Sequence, residues 1–266
     1  MQATDLNVCL LPLEITWEDK EANLNNLQKH LELVHPETDL VIIPETFSTG
    51  FPSGEEKDYV RNFAERNTGD TIDFIKRLAK KYNFAIAGSF IADSGGSLFN
   101  RGFFIEPSGE EVFADKRHLF SPGGEHKVFS QGAGRMSVRY RGWNISMAVC
   151  YDLRFPVWCR NRNNEYDLLI VVANWPVPRV KVWESLLIAR ALENLSYVCG
   201  VNCKGIDRHG HEYNGLSMAV GPTGENLAVS LKEDGILYAA LSKKKLEEFR
   251  NKFPAWQDAD DFSISL

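Results

Sequence analysis

Several absences narrow the class of this 266-residue chain before any motif is read. No window approaches the roughly 18 consecutive apolar residues that a membrane-spanning helix needs, which speaks against a helical membrane protein. The start, MQATDLNVCLLPLEITWED, has no basic segment leading into a long apolar run, so no signal peptide is expected. Positive charge is not in excess. Thirty Lys and Arg against 36 Asp and Glu give −6, which speaks against a general binder of nucleic acid or anionic membranes but leaves room for a local basic site. Cysteine is sparse and odd in number: Cys9, Cys150, Cys159, Cys199 and Cys203 suggest no disulfide framework, and a reducing, cytoplasmic setting fits them better. There is no Pro/Ser-rich linker, composition break or short-period repeat. Residues 1–266 therefore read as one domain, close to the ~250–300 residues at which single cores stop growing.

What is present is core material, at 44% hydrophobic and 11% aromatic residues. Leu6 to Leu13 has strand length, and Thr16-Trp-Glu-Asp19 resembles the capping box that starts a helix. Leu24, Leu27, Leu31 and Val34 then recur on one helical face, closed by Pro36. Asp39 to Ile43 is a short strand apolar on both faces and runs into Pro44-Glu45. The pattern repeats with a helix over Asp70 to Tyr82 and a strand over Phe84 to Ile91. Leu98 to Ile105 and Glu111 to Ala114 form a hairpin through the turn Pro107-Ser-Gly-Glu110. Lys116 to Gly134 reads as a long functional loop. Strands at Trp143–Val149, Asp167–Ala173 and Tyr197–Val201 flank a helix over Val180 to Leu195. Lys243 to Lys252 is a last helix before a polar and aromatic tail over residues 253–266. These signals predict an α/β layered sandwich and leave its strand order open.

Three polar residues stand at the ends of apolar strands, where α/β folds place chemistry: Glu45 after VIIP, Lys116 after VFAD and Cys150 after ISMAV. Singly they read as a solvated carboxylate, a surface lysine and a small core residue. Together they supply a reaction. A thiol needs a base or cation to become a nucleophile. Glu45 serves as that base if burial raises its pKa, and Lys116 with a backbone N–H at Tyr151 holds an oxyanion. None of the six histidines shows a placement suited to a Cys-His pair.

The segments VIIPETFSTGF, FADKRHLF and MAVCYDLRFPVW resemble the Glu-Lys-Cys signature of the nitrilase superfamily, the carbon–nitrogen hydrolases. Glu125 in EHKVFSQG resembles the family's second glutamate, and Asn174-Trp175, ARALEN and the GPTGE turn extend the resemblance along the chain. It implies a four-layer α-β-β-α sandwich, a homodimer or larger homo-oligomer, and neither metal nor other cofactor. CYDLRFPVWCRN, VANWPVPR and FPAWQDADDF are most similar to the bacterial ω-amidase branch. Many other branches carry Glu where Val157 stands. The resemblance implies a hydrolase of small amides that passes through a thioester: Glu45 as proton carrier, Lys116 and Tyr151 N–H on the oxyanion, Cys150 as nucleophile and Glu125 as orienter.

The substrate expected is a dicarboxylic acid monoamide such as 2-oxoglutaramate or 2-oxosuccinamate, whose anionic end needs a cation. Arg154, Arg117 and Arg179 are the candidates, with Phe47, Phe155 and Trp175 as candidate walls and Asp152 as a structural residue. Alternatives are an N-carbamoyl-amine hydrolase, a deaminated-glutathione amidase, or a non-catalytic interaction protein on the same fold. Cys199-x3-Cys203 with His209 and His211 is a poor match to zinc-ligand spacing, and the glycine pairs lack the strand–turn–helix setting of a nucleotide site.

Overall fold

The computed structural model describes residues 5–52, 54–231 and 235–264. Residues 1–4 of the stretch read for a signal peptide and 265–266 at the end of the expected tail lie outside the described residues. From the N-terminus run β1 (Leu6–Leu10), α1 (Lys20–Leu31), β2 (Leu40–Ile42), α2 (Lys57–Val60) and α3 (Asp70–Tyr82). Next come β3 (Ala85–Ser94), β4 (Ser97–Ile105), β5 (Glu111–Asp115), α4 (Glu125–Val128), β6 (Val138–Tyr140) and β7 (Trp143–Val149). α5 (Pro156–Cys159), β8 (Leu168–Ala173), α6 (Val180–Asn194), β9 (Tyr197–Asn202), β10 (Lys204–Ile206) and β11 (Glu212–Asn214) follow. The chain continues through β12 (Met218–Val220), β13 (Val229–Ser230), β14 (Leu237–Leu241) and α7 (Lys243–Lys252).

Period-two alternation builds two sheets with a shared interior. One is ordered β13-β14-β1-β2-β3-β4-β5 and the other β12-β9-β8-β7-β6. Leu6, Val8 and Leu10 of β1 and Leu40 and Ile42 of β2 meet Ile145, Met147 and Val149 of β7 and Leu168, Ile170 and Val172 of β8. The alternate residues face outward. Cys9, Val41 and Ile43 pack on Leu27 and Leu31 of α1 and Ile72, Ile75 and Leu78 of α3. Leu169, Val171 and Val198 pack on Trp183, Leu187 and Ala191 of α6. The result is the four-layer α-β-β-α sandwich. Two glycines set the spacing. A Cβ at Gly102 of β4 would lie 2.7 Å from Met147 Sδ across the sheet interface, and one at Gly200 of β9 would lie 2.5 Å from Leu187 of α6.

Local chemistry fixes the ends of the elements. α3 starts with Asp70 and Asp73, ends with Lys80 and Lys81, and terminates at Asn83 in the left-handed conformation, all of which suit its dipole and last carbonyls. α1 is capped differently from the expected Thr16 start. Asp19 accepts the Ala22 N–H at 2.9 Å, while the Thr16 backbone pairs with buried Asn23. The expected structureless loop from Lys116 to Gly134 contains a 3-10 turn at Ser121–Gly123 and α4, because the Glu125 carboxylate folds back to accept the Phe120 N–H. Among the described residues no helix is long and apolar enough to cross a membrane.

Candidate active site

The C-terminal ends of β2, β7 and β8, with the end of β5, converge at one end of the sandwich. Immediately beyond them stand Glu45, Cys150, Asn174 and Lys116. The backbone turns sharply at two of these exits: Cys150 has φ +48° and Thr46 φ +41°, left-handed values that a non-glycine residue holds only when its surroundings enforce them. Asp152 supplies part of that enforcement. It accepts the Val149 N–H at 3.1 Å and the His118 N–H at 2.8 Å, tying the turn after Cys150 to the segment after Lys116, and the His118 ring stacks on Phe155.

Glu45, Lys116 and Glu125 form a buried cluster. Lys116 Nζ donates to Glu45 Oε1 at 3.0 Å and to Glu125 Oε1 at 2.9 Å. Burial disfavours the lysine charge, but the carboxylates of Glu125 and Glu45, with Cys150 beside them, hold its pKa well above the ordinary value. The two carboxylates thus favour the charged form of Lys116. Burial pushes the Glu125 carboxyl up, against the pull of Lys116. The Cys150 thiol is also raised well above its ordinary range, by burial and then by the neighbouring Glu45 carboxylate, with Lys116 pulling the other way. At rest the thiol is protonated, so a thiolate has to be made during attack.

Two asparagines complete the frame: Asn100, which motif reading passed over, and Asn174, which the motif Asn174-Trp175 included without a role. Asn100, fully buried in β4, donates to Glu45 Oε1 at 2.7 Å and to Glu125 Oε1 at 3.3 Å, and accepts from Ser89 Oγ. Its signal was an amide on a strand face whose other residues, Leu98, Gly102 and Phe104, are apolar and buried. Asn174 donates its backbone N–H to Glu45 Oε2 at 2.8 Å and its side-chain Nδ2 to Glu45 O and Thr46 Oγ1. Glu45 is thus oriented from both sheets.

A cavity of about 260 Å³ opens over this cluster, lined by Glu45, Lys116, Cys150, Tyr151 and Asn174. Arg154, Trp175 and Arg179 line it too: the Arg154 guanidinium lies 5.1 Å over the Trp175 ring and that of Arg179 5.5 Å over Phe120. Of the remaining expected residues, Glu125 sits behind Lys116. Three do not reach the cavity. Phe47 is 1% exposed and packs edge-to-face on Phe103 in the outer core, because the turn at Thr46 directs it beneath the sheet. Arg117 follows Lys116 on the opposite side of the chain and donates to Gly132 O at 3.1 Å. Phe155 is occupied by His118 rather than lining a wall.

Sequence reading also missed Asp207, His211 and Tyr213, which reach the cavity from the β10–β11 hairpin. Asp207 lies 2.9 Å from His211 Nδ1 and accepts the Tyr213 hydroxyl at 3.0 Å. Burial opposes its charge, but these partners and the His211 N–H hold its pKa below the usual carboxylate range. No local signal marks this group, since it joins the site only through the packing of a distant hairpin.

A model of the Carbon-nitrogen hydrolase family matches residues 7–251. The chain is 40% identical over 260 residues to omega-amidase YafV of Escherichia coli (strain K12), covering 97% of this chain and 98% of the relative. It is 29% identical to a 2-oxoglutaramate amidase of Bacillus subtilis (strain 168), over 94% of this chain and 96% of that one. Among solved structures, the CN-hydrolase superfamily protein XC1258 of Xanthomonas campestris, which carries an arsenic adduct in its active site, superposes with a TM-score of 0.92. That pair is 38% identical, with 98% of this chain and 100% of the other covered.

Proposed function

Because this chain belongs to the carbon–nitrogen hydrolase family and acts on amides, we propose that it releases ammonia from the terminal amide of a small dicarboxylic acid monoamide. 2-Oxoglutaramate and 2-oxosuccinamate are the leading candidates. One observation carries this reading: Arg154 and Arg179 line the same cavity as Cys150, and among the described residues neither guanidinium has an ion pair or a hydrogen bond. A guanidinium left this way matches a carboxylate, which the far end of such a substrate supplies. The substrates named for the omega-amidase and 2-oxoglutaramate amidase relatives support the same choice.

The chemistry follows from the cluster. As the amide carbon approaches, Glu45 takes the proton of Cys150 and sulfur attacks the carbon. The carbonyl oxygen becomes an oxyanion held by the Lys116 cation and the Tyr151 N–H. Glu45 passes its proton to the departing nitrogen, which leaves as ammonia, and a thioester remains on Cys150. Glu45 then takes a proton from water as that water attacks the thioester. Collapse releases the dicarboxylic acid, and the proton returns to sulfur. Glu125 and Asn100 hold Lys116 and Glu45 in place throughout.

The core shared by both sheets supports treating residues 1–266 as one domain. Five free cysteines support a cytoplasmic setting, and the exposed Phe253 supports contacts in a homodimer or larger homo-oligomer.

The test is ammonia release measured across terminal monoamides of dicarboxylic acids and matched amides without the second carboxylate. The carboxylated substrates are expected to be preferred, with Arg154→Ala and Arg179→Ala raising their KM about 10- to 100-fold, the range of a charged hydrogen bond. Carbon dioxide plus an amine as products from N-carbamoyl compounds, or an unchanged KM in both variants, would overturn the assignment.

A further inference from the structure

Among the described residues, Asn174 carries the one buried side-chain polar atom of the cavity-lining residues that has no hydrogen-bond partner. The residue is 7% exposed and lines the cavity, yet its buried Oδ1 has no hydrogen-bond partner among the described residues. Its orientation is not free. Nδ2 must face Glu45 O, 3.1 Å away, because a backbone carbonyl can only accept, and Thr46 Oγ1 lies 2.9 Å from the same nitrogen. Oδ1 is therefore fixed as an acceptor, and a buried acceptor left unpaired is costly enough to mark where a ligand donor belongs.

We infer that Asn174 Oδ1 accepts a hydrogen from the NH2 group of the scissile amide and so selects primary amides. This rests on the functional reading above. In that reading the carbonyl oxygen is taken by Lys116 and Tyr151, and the nitrogen faces Glu45, which later protonates it. Asn174 borders Glu45 directly, its backbone N–H 2.8 Å from Oε2. An amide nitrogen presents two N–H bonds, and the Glu45 side of the site holds two acceptors, the Glu45 carboxylate and the buried Asn174 Oδ1. An ester oxygen in the same place has no hydrogen to donate and sets lone pairs against both. The product carboxylate meets the same mismatch, which favours its release once the thioester is cleaved.

The experiment measures equilibrium binding by calorimetry in the Cys150→Ala protein, where no turnover occurs and proton transfer by Glu45 plays no part. The probes are succinamate and its ester counterpart, monomethyl succinate. The amide is expected to bind at least about tenfold more tightly. Asn174→Ala, paired with the near-isosteric Asn174→Leu in case one variant fails to fold, should reduce that preference by about tenfold by weakening only the amide. Thr46→Ala breaks a hydrogen bond of Nδ2 but leaves Oδ1, and should keep the preference. Equal affinities in the parent, or an undiminished preference in a folded Asn174 variant, would overturn the inference while leaving the functional reading intact. Binding of neither probe to the parent would overturn the functional reading and this inference with it.

Discussion

β8 ends in two very different charge clusters. Beyond its last residue lies the Glu45–Lys116–Glu125 group, which Asn174 helps to orient. Just before its first residue lies Asp167, paired with Lys243 and with Arg250 Nη1 at 2.9 Å. Both clusters are buried and both cross between elements far apart in sequence. In the second, every group is consumed by structure: Asp167 also accepts the Asn144 N–H, and Arg250 donates to Leu195 O and Tyr166 O, clamping α7 onto the sheet. In the first, a cavity remains, with two guanidiniums that have no ion pair or hydrogen bond and one side-chain carbonyl oxygen that has no donor among the described residues. Burial of charge is common to structure and function; unspent bonding capacity in residues that line a cavity separates them.

Three substitutions or conditions test that separation. The largest effect is expected from Cys150→Ala, which should lower kcat by on the order of 10⁴-fold or more with the thermal midpoint nearly unchanged. Steady-state ammonia release together with a melting curve checks it, and substantial residual turnover would remove Cys150 from its role. Asp167→Ala should do the reverse, because it strands two buried cations. A loss of about 3–5 kcal/mol in denaturant unfolding is expected, with kcat per folded molecule preserved; a matching loss of kcat would merge the two clusters into one functional unit.

The smallest effect concerns pH. Burial raises the Cys159 thiol to about 12, and burial likewise raises Tyr166, whose hydroxyl donates to Cys159 O at the Asp167 end. The folded protein thus holds these protons more tightly than the unfolded chain. That contribution is complete below the unfolded thiol value near 9 and is lost as pH climbs through 12. The thermal midpoint should fall over this window, and fall less steeply in Cys159→Ala. A midpoint flat from pH 9 to 12 would show that these groups do not titrate with unfolding.

Why the site could be read in part from sequence is clear at the level of single residues. Glu45, Lys116 and Cys150 each interrupt or follow an apolar run, and a strand's end is a local property. The direction of a neighbouring side chain is not. Phe47 and Arg117 lie next to the right residues, but the left-handed turn at Thr46 and the reversal after Lys116 point them elsewhere. The roles of Asn100 and of the motif residue Asn174 were hidden for another reason, since they lie in which distant carboxylate each meets. The helices and strands emerged nearly complete because period and burial coincide, as in Ile72, Ile75, Leu78 and Ala79 of α3. Strand order did not. β14, almost the last element, sits between β13 and β1 through long-range antiparallel pairing that no local pattern encodes.

That placement of β14 bears on biosynthesis. A chain growing from its N-terminus forms β1 to β5 with one flank of β1 unpaired, and residue 150 arrives after the base and the cation it is to meet. Residues 237–241 must be made before β1 gains its second neighbour, and the 174–45 clasp requires both sheets to have docked. Thiol, base and cation therefore all stand on the nascent chain only once residue 150 is made, and the site is complete only after the two sheets dock.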